Sequence, residues 1–220
     1  MSLDPKKSQA QSKLLKKIIP AVMKDGFQQL KMEEIAKLMD VSRATMYKHF
    51  SSKEEVIAGV VYIFVDYIDQ LKLPSVQVEG ELFGVSFQQL FEQSVSLAGK
   101  ISEVFLKELQ SAYPELSDSL RSALLQREQQ SLEFYRHGID KGIFQPLNER
   151  FILLQDELLL REIMNTKYLL QNQTSIQQVL TDYYHFKKIQ LFRPEKMGLI
   201  DDHLIIPVIN HVAEKYNRTL

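Results

Sequence analysis

Between Ala10 and Val22 apolar residues return at helical spacing, Ala10, Leu14, Ile18 and Val22, with Leu15, Ile19 and Met23 widening the stripe. Asp4 and Pro5 form an N-cap and first-turn pair for this helix, Gly26 ends it, and Pro20 inside it predicts a kink. Met32, Ile35, Ala36 and Met39 repeat the pattern over one short helix. Asp40 tolerates the left-handed conformation and so permits a tight turn, after which Ser42 caps a second short helix anchored by Val41, Met46 and Phe50. Arg43, Thr45, Tyr47, Lys48 and His49 are left facing solvent. This is the spacing of a helix-turn-helix, with the small Ala36 at the crossing and a second helix free to enter the DNA major groove. An ordinary helical hairpin has the same spacing.

Downstream, every patterned stretch is helical, so the fold expected is all-α. Ser51 with Glu54, or Ser52 with Glu55, makes a capping box that opens a helix running to about Leu71. Pro74, Ser75 and Gly80 break the period over 72–80. Phe83, Phe87, Leu90, Phe91 and Val95 begin the next helix, Val104 to Tyr113 forms another, and a long one runs from Pro114 to near Gly138 or Gly142. Asn148 caps a helix that is apolar on several sides at once, expected to reach Gln171, and Thr174 or Ser175 starts a further one reaching Phe192. A last helix follows Asp201, with Pro207 interrupting its pattern. These breaks divide the chain into a head, 1–53, a connecting helix over about 53–71, and a larger body, 72–220.

Charge sharpens this division. The whole chain carries a net charge of -1, yet Met1 to Lys53 holds 11 Lys and Arg against 5 Asp and Glu, and the remainder 16 against 23. A basic head attracts phosphate, and an acidic body discourages binding the wrong way round. The absence of cysteine excludes disulfides and thiolate metal sites and suits a cytoplasmic location. The longest apolar run, Val56 to Val65, is too short for a bilayer of about 30 Å, so no membrane partner is expected. No nucleophile, zinc or phosphate-loop motif occurs, and Asp182 with His185 gives one i, i+3 pair where a metal site needs more. No catalytic residue, metal or cofactor is therefore expected.

The run VSRATMYKHFSSKEE, with its aromatic-x-His-Phe ending and following lysine, resembles the recognition segment of the TetR family of bacterial transcriptional regulators. The similarity extends back through Ile35-Ala36 and Gly26-Phe27. It implies a homodimeric repressor that reads a pseudo-palindromic operator in double-stranded DNA and is released by a small-molecule effector. DNA contacts would then come from Ser42, Arg43, Ala44, Thr45, Tyr47, Lys48 and His49, with Lys53 at a helix N-terminus. Lys31 would reach phosphate as a point charge, standing where family members often have a capping threonine. The resemblance also implies dimerisation through helices 148–171 and 174–192, and an effector cavity in the body. Phe87, Phe91, Phe105, Tyr113, Phe134, Tyr135, Met164 and Tyr168, on four successive helices, and His137 are the candidate lining residues. Plain core packing explains the same spacing. Two other functions stay open: a chromosome-associated DNA-binding protein of the same fold without an effector, and an all-helical enzyme or protein-interaction module.

Overall fold

The computed structural model describes residues 5–71, 80, 82–98 and 100–217. The Asp4 cap and the expected break over 72–80, Gly80 apart, lie outside them. In chain order the helices are α1 (Pro5–Asp25), α2 (Met32–Leu38), α3 (Arg43–His49), α4 (Lys53–Gln70), α5 (Leu82–Ala98), α6 (Glu103–Ala112), α7 (Pro114–Asp140), α8 (Glu149–Ile163), α9 (Thr166–Gln171), α10 (Ile176–Leu191) and α11 (Ile205–Asn217). Two compact units result: Met1–Gln70 with Ile101–Leu125, and Leu71–Lys100 with Gln126–Leu220. Packing thus draws the segment 101–125 in with the N-terminal helices, where the expected division put it in the body.

In the first unit α1 runs unbroken through Pro20 and packs on α2, α4 and α6. Leu15, Ile18 and Val22 bury the stripe expected of α1, and α4 buries Val56, Ile57, Val60, Val61, Phe64 and Ile68. Phe27 follows Gly26 into this core, edge-on to Phe105 at 5.6 Å and stacked with Tyr113 at 5.9 Å. Gly26 has φ +79, and a Cβ there would lie 2.4 Å from Oε1 of Glu108. Only glycine takes that conformation and that approach without strain. The Glu108 carboxylate accepts the backbone N–H groups of Phe27 and Gln28, the latter at 2.9 Å. Lys53 Nζ donates to the carbonyl of Gln28 at 2.8 Å, so the turn between α1 and α2 is gripped through both its donors and its acceptors.

In the second unit α5 packs on α8 and α11, and α10 packs on α8 and α11. Phe83, Phe87, Leu90, Phe91 and Val95 are buried along α5. Gly84 lets α5 pass close to the 3-10 turn Pro194–Leu199, since a Cβ there would meet the Leu199 carbonyl at 2.1 Å. After α7 the chain is tied to the end of α10 by two backbone bonds, Gln145 to Leu191 at 2.7 Å and Arg193 to Ile143 at 3.0 Å. Between them Phe144 and Phe192 pack edge to face at 4.8 Å. The helix expected over 148–171 is broken: Asn165 recaps the chain by accepting from the Lys167 N–H, separating α9 from α8. Pro207 falls in the first turn of α11, where its missing N–H costs nothing, so it starts that helix instead of interrupting it.

Candidate nucleic-acid interface and buried polar core

The turn between α2 and α3 is built as a Schellman ending. Val41 N–H donates to the Ala36 carbonyl at 3.1 Å and Asp40 N–H to the Lys37 carbonyl at 3.0 Å, with Asp40 left-handed at φ 57. Ser42 Oγ then accepts from the Thr45 N–H at 3.1 Å and caps α3. Met46 and Phe50 are buried, as are Ile35, Ala36 and Met39 opposite them. What α3 offers to solvent is Ser42, Arg43, Ala44, Tyr47 and Lys48, with Thr45 and His49 half-buried. The His49 carbonyl accepts from Gln11 Nε2 at 2.7 Å, which joins α3 to α1.

Arg43 pairs with Glu33 at 2.9 Å and its guanidinium lies 5.6 Å from the Tyr47 ring centre. These two contacts hold its side chain over the exposed face of α3. Lys31 is exposed at the start of α2, whose N-terminus is completed from the other side, the Glu34 carboxylate accepting the Lys31 N–H at 2.8 Å. Half of a capping box is thus present without a capping hydroxyl. At α4, Ser52 Oγ accepts from the Glu55 N–H at 3.1 Å while the Glu55 carboxylate reaches back to Ser51. Lys53, expected at a phosphate, spends its ammonium on the Gln28 carbonyl.

The expected cavity residues divide between the units. Phe105 and Tyr113 belong to the first, against Phe27; burial, and secondarily the charge of Glu54, raises the Tyr113 hydroxyl above the usual tyrosine value. In the second unit Phe134 packs on Phe83 and Phe144, and His137 stacks on Phe83 at 5.6 Å. Met164 and Tyr168 are half-buried against the core. Phe87, Phe91 and Tyr135 do converge, and with Leu90, Ser94, Asp156, Leu160, Tyr183 and Lys187 they line a small cavity of about 10 Å³, room for about one water.

Its polar end was not anticipated. Asp156 Oδ1 accepts from Tyr183 and from Lys187, and Oδ2 accepts from the Tyr135 hydroxyl at 3.2 Å. The Lys187 ammonium also lies 5.6 Å from the Tyr135 ring centre. Burial lowers the Lys187 pKa against the opposing pull of Asp156, and raises those of Tyr135 and Tyr183, reinforced by the Asp156 charge. A signal for this cluster does exist in the sequence. Asp156 stands at the midpoint of the buried stripe Ile152, Asp156, Leu160, and Lys187 lies four residues beyond Tyr183 on the buried face of α10. A second polar chain lies nearby in sequence: Gln88 Nε2 donates to the Tyr184 hydroxyl at 3.0 Å, which donates to Asp202 at 3.0 Å, itself paired with Lys188 at 2.6 Å.

Asp182 and His185 are both exposed, and among the described residues no group of three or more His, Cys, Asp or Glu is placed to hold a metal ion. Nor is any described helix long and apolar enough to cross a membrane.

Residues 21–60 match the family model described as bacterial regulatory proteins, tetR family. No curated protein matches the chain. Solved structures do. The ketosteroid transcriptional regulator KstR2 of Mycobacterium tuberculosis is similar at 18% identity and a TM-score of 0.58, over 87% of this chain and 97% of that one. A transcriptional regulator from Saccharomonospora viridis, in complex with choline, is similar at 16% identity and 0.55, over 96% and 95%. AibR, in complex with isovaleryl coenzyme A and operator DNA, is similar at 16% identity and 0.55, over 70% and 85%.

Proposed function

We propose that the chain, whose residues 21–60 match the tetR family model and whose fold is similar to that of solved transcriptional regulators, is a cytoplasmic bacterial DNA-binding repressor which holds a pseudo-palindromic operator as a homodimer and lets go when a small molecule binds its body. A regulator of this kind works by binding, not by catalysis. The observation that carries the reading is the solvent face of α3, where Arg43, Ala44, Tyr47 and Lys48 are exposed over a buried Met46 and Phe50. Arg43, Thr45 and Lys48 read base edges, and Lys31, Tyr47 and Lys53 hold phosphates, Lys53 after exchanging its carbonyl for one.

Dimerisation through α8 and α10 is supported by their exposed apolar residues. Phe151, Leu154 and Leu158 follow one face of α8, and Phe186 and Ile189 one face of α10. Covering them with a second copy gives an isologous interface. Such a dimer sets two α3 helices about 34–36 Å apart, one DNA turn. The effector is supported by relatives of this fold crystallised with choline and with isovaleryl coenzyme A.

Selection from random duplexes followed by binding across a salt series tests the proposal. The expected result is a two-half-site sequence whose affinity falls by about 10³ to 10⁵ between 50 and 200 mM salt, as for 6–10 phosphate contacts. Binding without sequence preference or salt dependence overturns it. The narrowness of the cavity favours one alternative, a chromosome-associated DNA-binding protein of the same fold that needs no effector. A thermal-shift screen with lipophilic cations, acyl-CoA esters and aromatic compounds, each hit then added to the DNA complex, separates the two.

A further inference from the structure

The cluster at the end of the cavity is uneven in what it can still bind. Asp156 accepts from three donors, Tyr135, Tyr183 and Lys187, which nearly exhausts the lone pairs of a buried carboxylate. Lys187 is the opposite case. Its side chain is only 3% exposed, it carries three N–H groups, and Asp156 is its one hydrogen-bonded acceptor among the described residues. A buried ammonium with spare donors is costly until they are met. Ser94 adds a further hydroxyl at the cavity wall, and Arg127, also buried, adds a positive charge felt at Tyr135. An incoming cation would meet an ammonium already in place on a satisfied carboxylate. An incoming anion would meet donors.

The remaining wall is hydrocarbon, from Phe87, Leu90, Phe91 and Leu160. We infer that the body binds a small monocarboxylic acid, its carboxylate on Lys187 and Ser94 and its apolar tail against Phe91 and Leu160, so that the effector class of this regulator is an organic acid and not an organic cation. This rests on the regulatory reading of the body. The cavity holds about one water in this conformation, so the acid selects a form in which the aromatic wall has drawn back, and the tail sets how far. Charge-assisted hydrogen bonds to a buried ammonium make the head group the source of specificity, because a neutral amide of the same shape forgoes the charge.

The test uses the full chain without DNA. Calorimetric titration with hexanoate and phenylacetate, with the matching amides hexanamide and phenylacetamide, and with hexylamine and phenethylamine, compares head groups at constant tail. The acids are expected to bind at least about tenfold more tightly than amides or amines, and Lys187→Met to remove that preference. Since Lys187→Met leaves Asp156 uncompensated, the pair Asp156→Asn/Lys187→Met, confirmed folded by circular dichroism, is measured beside it and is expected to lose the preference too. Amines binding better than acids, acids binding the double variant as they bind the parent, or no member of the series binding, each overturns the inference. Adding phenylacetate to the selected operator complex is the separate arm: acid that binds without releasing DNA leaves this site standing and removes the effector role.

Discussion

Tyr135 on α7 and Asp156 on α8 are joined by a hydroxyl-to-carboxylate bond of 3.2 Å, the outer contact of a cluster that also takes in Tyr183 and Lys187. Burial, with Asp156 beside them, raises Tyr135 and Tyr183 above the usual tyrosine value, and burial also raises Tyr184. A pKa raised in the folded state contributes stability that is complete below the unfolded value of about 10 and is lost as pH climbs beyond it. Lys187 acts in the opposite sense, because burial lowers it and the fold releases its proton first. In an alkaline titration followed by phenolate absorbance, three of the nine tyrosines should stay protonated until the far-ultraviolet circular dichroism collapses. Ionisation of all nine near pH 10 in a folded chain would contradict the cluster.

The Asp156 and Lys187 pair should be strongly non-additive. Lys187→Met alone leaves a buried carboxylate without its counter-ion and should cost about 3–5 kcal/mol in urea unfolding. Asp156→Asn/Lys187→Met removes both charges and should recover most of that loss. A double variant as unstable as the sum of the single ones would mean that the pair does not act as a pair.

Glu108→Ala should cost about 1–3 kcal/mol, since the Phe27 and Gln28 N–H groups lose their acceptor in a partly buried turn. Gly26→Ala should also destabilise, through its left-handed φ and through collision with the same carboxylate. Combining them removes the collision but keeps the backbone strain, so the double variant should lose less than the sum. Thermal melts of the four proteins decide it.

Arg43 is expected to leave Glu33 when it meets DNA. Glu33→Gln should then raise operator affinity by at most about fivefold, the range of an exposed ion pair worth less than about 1 kcal/mol. Arg43→Ala should cost about 1–3 kcal/mol and relax preference at one base pair. If Glu33→Gln lowers affinity, the pair positions Arg43 and does not compete with DNA.

Leu158→Asp places a charge on the exposed apolar face of α8, at a side chain that is 58% exposed. Sedimentation at micromolar concentration is expected to show a dimer for the parent and a monomer for the variant, with helicity unchanged. A dimeric variant would move the interface elsewhere.

The turn of the head was legible because its chemistry is local. Asp40 and Ser42 announce a left-handed residue and a cap within three positions, and the structure uses them so. The ending at Gly26 was equally plain, and so was the Asn148 cap, while Ser175 was one of two candidates beside Thr174. What lay beyond reach was address. Phe105, Tyr113, Phe87 and Tyr135 recur with the same period and the same chemistry, and nothing local says that the first two pack on Phe27 while the others face Asp156. The clue that was available is of another kind: one acid and one base, 31 residues apart, each standing in a stripe that otherwise buries apolar or aromatic side chains.

The packing of α6 against Phe27 bears on how this chain could be inherited or rebuilt. A recombination that joined residues 1–70 to a foreign body would carry over α3 and its exposed residues, yet leave behind Phe105, Tyr113 and the carboxylate that fastens the turn ahead of α2. The transferable unit is two separate stretches, 1–70 and 101–125, so that a single crossover splits it. If α3 reads DNA as proposed, a change of specificity should then be reached more readily by point substitution on α3 than by swapping heads.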